Sequence, residues 1–268
     1  MIHKIPSDLF VLEMANNHMG DIDHGIHVIQ TFAEVCKKYP FNFAFKLQYR
    51  YLDSFIHPDM QGRIDVPYIK RFSETRLTQN DFDRLLNEMR EHGFHTMVTP
   101  FDENSVDVIV SQNVDIIKVA SCSFGDWPLL ERVVQTDKPI IASTAGASID
   151  VIEQVISFFS NRNKEFSILH CVGEYPTPDE NMHISQIDFL KKRFPGVRIG
   201  FSTHEDPNIK ISPSVAYGAG ARIFEKHIGV ETKKIKLNKY SVSPKELELW
   251  VNNLSEANFV APYKFIGA

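Results

Sequence analysis

The chain has 268 residues, 43% of them hydrophobic, and a formal net charge of −5. That is enough apolar material for one large core or two small ones. Mild, dispersed acidity gives no reason to expect nucleic acid or a membrane surface as a partner, and no run approaches the ~20 apolar residues that span a bilayer.

The opening MIHKIPSDLFVLEMANNH lacks a basic segment followed by a long apolar stretch, so no secretory leader is expected. Cys36, Cys122 and Cys171 form no C-x-x-C pair and read as reduced thiols of a cytoplasmic protein. Residues 8–15 read as a strand, and 24–39 as a helix with Ile26, Ile29, Phe32, Ala33 and Cys36 at helical spacing. Residues 41–48 alternate Phe41, Phe43 and Phe45 as a second strand. An irregular stretch, 49–76, follows; loops this long are uncommon and often cover a site. A helix over 78–93 has Thr78 as N-cap and Gly93 as its stop.

The alternation continues with strands at 94–100, 115–121, 139–144, 166–171, 197–202 and 221–228. Between them lie helical segments at 103–112, 127–136, 148–161, 182–195 and 207–220. A last helix spans 243–256, opened by Ser243 and Pro244. Eight strand–helix units in this length predict a closed α/β barrel, the TIM (β/α)8 architecture, in a single domain spanning 1–268. No G-x-G-x-x-G follows the first strand, which argues against a dinucleotide-binding sheet.

Chemistry in such a barrel sits at the C-terminal strand ends. Those ends carry Glu13, Asn17 and His18; Lys46 and Gln48; Thr99; Lys118 and Ser121; Ser143; His170 and Tyr175; Ser202 and His204; Glu225 and His227. Lysines with several hydroxyls suit a small anion, because ammonium supplies charge and hydroxyls supply directional donors. The alternative is ion pairing of the lysines with Glu13 and Glu225 inside the barrel. His204 and His227 end neighbouring strands, ~4.8 Å apart, so their imidazoles can share a divalent first-row metal that also accepts water or a substrate oxygen.

The motifs EMANNHMGD (13–21), FKLQ (45–48), TPFD (99–102), IKVAS (117–121), STAGAS (143–148), LHCVGEYPTP (169–178), IGFSTHE (199–205) and FEKHIG (224–229) occur in that order. In this they resemble the sialic acid (N-acetylneuraminate) synthases, phosphoenolpyruvate-dependent condensing enzymes that make nonulosonic acids. The resemblance implies a Mn²⁺-type ion (Mg²⁺ or Co²⁺ as equivalents) at His204 and His227. It also implies a phosphoenolpyruvate site at Lys46, Thr99, Lys118, Ser121, Ser143 and Ser202. Gln48 lies in the same strand-end motif, and Tyr175 matches a residue on the sugar side. Glu13, Glu225 and His170 are expected to handle protons. The expected partners are phosphoenolpyruvate, an aldose or amino-sugar acceptor, and a second copy in a homodimer.

The departures concern the acceptor. Family members usually carry a C-terminal antifreeze-like domain, for which no room is expected before Ala268. Asn238 stands near the position of a family carboxylate that binds sugar hydroxyls, flanked by Lys233, Lys234, Lys236 and Lys239. Gly173 replaces a family asparagine, and Met19 a glutamate of some members. An intact phosphoenolpyruvate half and a rewritten sugar half are expected. Two other readings are a class I aldolase with Lys118 or Lys226 as Schiff-base nucleophile, and a non-catalytic sugar-phosphate-binding barrel.

Overall fold

The computed structural model describes residues 4–208 and 211–260, with the side chains of 258–260 left aside. Eight parallel strands close into a barrel in chain order. They are β1 (Leu9–Glu13), β2 (Asn42–Tyr49), β3 (His95–Pro100), β4 (Ile116–Val119), β5 (Ile140–Ser143), β6 (Phe166–Cys171), β7 (Arg198–Thr203) and β8 (Ile223–His227). The helices are α1 (Ile22–Cys36), α2 (Leu52–Phe55), α3 (Pro67–Glu74), α4 (Gln79–Glu91), α5 (Glu103–Ser111), α6 (Trp127–Val134), α7 (Ile149–Ser160), α8 (Gln186–Arg193), α9 (Ser212–Ala219) and α10 (Pro244–Val260). None of the described helices is long and apolar enough to cross a membrane.

Period-two alternation sorts each strand into two faces. Inward residues of the lower barrel form one apolar cluster, Leu9, Val11, Ala44, Met97, Ile116, Ile141, Leu169 and Ile223. Gly200 completes this floor: a Cβ there would lie 2.4 Å from Leu169 Cδ2 and 2.5 Å from the Ile223 carbonyl oxygen. Outward residues such as Phe10, Phe45, Ile117, Ile168 and Phe224 pack against the helices. Two residues further along, the inward positions become polar on every strand except β6, where Cys171 stands, and that switch makes the mouth.

The α4 cap forms as its sequence dictates. Thr78 Oγ1 accepts from Asp81 N at 3.2 Å, and Asp81 Oδ2 accepts from Thr78 N at 3.0 Å. Gly93 adopts φ +78° beyond the helix end. The stretch 49–76 is less irregular than its sequence implies, since it holds α2 and α3. α3 opens on Pro67 at its first turn and buries no residue fully, although Tyr68, Ile69 and Phe72 stand at helical spacing.

Candidate active site at the barrel mouth

Inward parity brings Glu13, Lys46, Gln48, Thr99, Lys118, Ser143, Ser202, Glu225 and His227 to one end of the lumen, in register: Glu13 pairs with both Lys46 and His227, Gln48 with Thr99, and Ser202 with Glu225. Lys46 forms an ion pair with Glu13 and lies 2.8 Å from Glu225 Oε1. Lys118 donates to Ser143 Oγ at 2.6 Å and lies 3.6 Å from Glu225 Oε1. Ser202 donates to the same Glu225 oxygen at 3.2 Å. Glu13 Oε1 accepts from Ala15 N at 2.6 Å. The ion pairing raised as an alternative therefore exists, and it leaves the cluster neutral, with two ammonium groups against two carboxylates.

Burial disfavours charge on all of these groups, and their neighbours decide the outcome. Burial alone would lower Lys46, but Glu13 and Glu225 together hold it above the usual lysine range. Burial lowers Lys118, which shares only Glu225 and sits beside the positive Lys46. Burial would raise Glu225, but Lys118 and Lys46 hold it below the usual carboxylate range. Three buried polar atoms at this end have no hydrogen-bond partner: Thr99 Oγ1, Glu225 Oε2 and His227 Nδ1. Orphaned buried groups are rare in folded chains, and here they share one lumen.

The rings of His204 and His227 lie 5.3 Å apart, centroid to centroid. His204 Nδ1 is 3.1 Å from the Val172 carbonyl, so Nδ1–H donates there and Nε2 keeps its lone pair. Burial, then the neighbouring positive groups, push both imidazoles down to about 3. They are neutral at physiological pH, the form that ligates metal. Tyr175 packs on His204 at 4.1 Å and Tyr240 edge-on to His227 at 5.1 Å. Among the described residues no group of three or more His, Cys, Asp or Glu gathers for a metal. A divalent ion held here would thus rest on two imidazoles and keep positions open. The orphaned His227 nitrogen and the oriented His204 fit that role.

A model of the NeuB family matches residues 44–262. The chain belongs to the NeuB family. Over 97% of its length it superposes on a Chromobacterium violaceum protein assigned to spore coat polysaccharide biosynthesis, with a TM-score of 0.95, 47% identity and 78% of that chain covered. An N-acetylneuraminic acid synthetase from Leptospira borgpetersenii, solved with citrate, matches over 98% of this chain and 88% of its own, with a TM-score of 0.85 and 26% identity. The N-acetylneuraminate-9-phosphate synthase of Mus musculus is 28% identical over 88% of this chain and 66% of its own. The spore coat polysaccharide biosynthesis protein SpsE of Bacillus subtilis is 29% identical over 91% of this chain and 66% of its own. The chain thus spans about two thirds of these two relatives.

Not every residue singled out in the sequence reaches the lumen of this NeuB-family barrel. His170 points outward, its Nε2 2.8 Å from the Met182 carbonyl and its ring stacked on Phe201, so it does not join the proton-handling groups. Lys226 also faces outward and lies 3.0 Å from Glu205, with both side chains buried, which removes it as a Schiff-base candidate. Asn17 donates to the Ile228 carbonyl at 2.6 Å and to Ser241 Oγ at 3.1 Å, tying two strand-end loops together. Asn238 Oδ1 accepts from the backbone of Tyr240 and Ser241, so it shapes its own turn. Ser121 accepts from Ala145 N at 3.1 Å; Cys171, read from the sequence only as a reduced thiol, is buried and faces inward from β6. Also missed was Glu205, which accepts from Thr203, Ser212 and Trp250 as well as Lys226. Its signal was present: Glu205 directly follows His204.

Proposed function

We propose that this NeuB-family barrel condenses phosphoenolpyruvate with an aldose or amino-sugar acceptor, giving a 3-deoxy-2-keto acid and inorganic phosphate. One observation carries the reading: Lys46, Lys118 and the unpartnered oxygens of Thr99 and Glu225 share a lumen whose rim holds two neutral imidazoles. Relatives named as synthases of N-acetylneuraminate 9-phosphate, N,N'-diacetyllegionaminic acid and pseudaminic acid support it.

Carbon 3 of the enol ester bonds to the aldehyde carbon, whose oxygen takes up a proton. Water adds at carbon 2, and the tetrahedral intermediate then loses phosphate to leave the ketone. Held by His204 and His227, a divalent ion such as Mn²⁺ would supply Lewis-acid polarisation of the acceptor's aldehyde. Lys46 and Lys118, with the hydroxyls of Thr99, Ser143 and Ser202, bind the anionic ends and stabilise departing phosphate. An incoming anion competes for the ammonium groups that neutralise Glu225, so the carboxylate loses counter-charge and becomes more basic. Its free Oε2 is the oxygen we assign to take the proton of the attacking water. Both oxygens of Glu13 are already engaged, and Glu13 serves as the anchor of Lys46.

The test is phosphate release from phosphoenolpyruvate across a panel of aldoses, with Mn²⁺ and with chelator, and with products identified by mass. Metal-dependent release that requires an aldose supports the reading; binding without turnover points to the non-catalytic barrel. The lowered Lys118 gives the Schiff-base aldolase one specific footing. Borohydride trapping with a keto substrate separates the two, since a covalent adduct on Lys118 replaces our reading. The homodimer belongs to the proposal as well. Met19, Ile64 and Tyr68 stand exposed on the loops after β1 and β2, and solution mass measurement decides it.

A further inference from the structure

Beside the lumen, a cavity of about 380 Å³ lies under the 49–76 stretch, bounded by Asn16, His18, Gln48, Arg50, Phe72 and Thr75 among others. Its size is that of a small-molecule site. Arg50 and Arg76 both line it, and Arg76 pairs with Asp53. The Arg50 guanidinium is clamped between two rings, 4.2 Å from the centroid of Phe72 on α3 and 3.8 Å from that of Phe101 after β3. One nitrogen, Nη2, donates to Gln48 Oε1 at 2.7 Å, while Nε is buried with no hydrogen-bond partner.

The neighbouring carboxylates are committed elsewhere. Glu13 serves Lys46 and the Ala15 amide. Asp102 accepts from Tyr51 N at 2.7 Å and Ser105 N at 2.8 Å. A largely desolvated cation without a counter-ion is costly, and burial pushes Arg50 down to about 10. A guanidinium packed against two rings, with Nε and Nη1 unpartnered among the described residues, has N–H groups to spare for a planar or tetrahedral oxyanion. Through Gln48 it is one hydrogen bond from the lumen of the two lysines.

We propose that Arg50 is a substrate-anion residue: its unpartnered N–H groups take a carboxylate or phosphate oxygen, borne either by the enol ester or by the acceptor sugar. This rests on the condensing reading for the identity of the substrates, though not for the existence of the anion site. The lumen's two lysines share their charge with Glu13 and Glu225, so Arg50, which pairs with no carboxylate among the described residues, adds a positive charge for an incoming anion beside theirs.

The experiment is calorimetric titration of the wild-type protein, Arg50→Gln and Arg50→Lys, in two arms. Phosphoenolpyruvate is titrated alone in the first. Inorganic phosphate, standing for an acceptor-borne anion, is titrated into phosphoenolpyruvate-saturated protein in the second. We expect Arg50→Gln to weaken binding at least tenfold in one arm, which names the source of the anion. Arg50→Lys should keep part of the affinity, because charge survives while the planar fork does not. Unchanged affinity in both arms, with a lowered melting temperature, would reduce Arg50 to a pin between α3 and the barrel and overturn the proposal. Failure of phosphoenolpyruvate to bind the wild-type protein would instead sink the condensing reading, with the phosphate arm, then run without phosphoenolpyruvate, judging Arg50.

Discussion

Lys226→Met isolates the pair that backs the two imidazoles. Lys226 is 1% and Glu205 0% exposed, and the ammonium reaches both the carboxylate and the backbone carbonyl of Glu205 at 3.0 Å. Methionine fills much of the lysine stem but leaves the carboxylate buried without its cation. Breaking such a pair costs about 3–5 kcal/mol. Three donors remain on Glu205, from Thr203, Ser212 and Trp250, so the lower end applies, about 3 kcal/mol. At ~2–4 °C per kcal/mol for a chain of this size, the melting temperature falls by roughly 6–12 °C. Urea unfolding followed by circular dichroism measures the loss directly. Adding Glu205→Gln removes the stranded charge, so the double variant should recover at least about 1 kcal/mol relative to the sum of the singles. A single-variant loss below about 1 kcal/mol, or strict additivity, would refute the reasoning. Because Glu205 follows His204 and Lys226 precedes His227, the single variant should also bind Mn²⁺ about tenfold more weakly without touching the ion.

Lys118→Met should raise the Michaelis constant for phosphoenolpyruvate by roughly 10- to 100-fold, the worth of a charge-assisted hydrogen bond; an unchanged constant removes Lys118 from the anion site. His227→Ala should abolish Mn²⁺ binding by titration while leaving the far-ultraviolet spectrum intact, and chelator should stop phosphate release from the wild type; full turnover of chelated protein contradicts the two-histidine site. His18 carries the pH prediction. Burial, with His24 adding to it, pushes its imidazole down to about 4. The unfolded chain therefore binds a proton first, and stability that is complete above about 6.5 is lost as pH falls toward 4. His18's share of the loss is at most about 3 kcal/mol, and His18→Gln should make the decline shallower by that share, leaving the part that His204 and His227 contribute. An equally steep decline in the variant would assign the acid sensitivity elsewhere.

The barrel was legible because apolar runs and amphipathic segments alternate cleanly, and the lumen because its polar residues cluster at strand ends. Facing was harder to read. In Glu225–Lys226–His227, the first and third residues enter the lumen while Lys226 turns out to Glu205. The same one-residue parity sends His170 outward and Cys171 inward, and a list of polar strand ends does not encode it. Leu169 in the floor cluster was the available clue, since inward positions recur at every second residue. α3 is only eight residues long and opens on Pro67 within a stretch rich in Tyr, Asp, Pro and Arg, so Tyr68, Ile69 and Phe72 at helical spacing did not stand out. Asn17 and Asn238 look like ligands for sugar hydroxyls, but Asn17 Nδ2 goes to Ile228 and Ser241 and Asn238 Oδ1 to its own turn, and no residue spacing reveals a partner so close in the chain or so far from it.

The hydrocarbon plug beneath the lysines, sealed where Gly200 admits Leu169 and Ile223, closes the lumen from below. Whatever touches Lys118 must arrive before the space above it fills and must wait for that space to clear before departing. A compound lodged at the rim is therefore expected to slow the exchange of a deeper guest, which its effect on the release rate of that guest would measure.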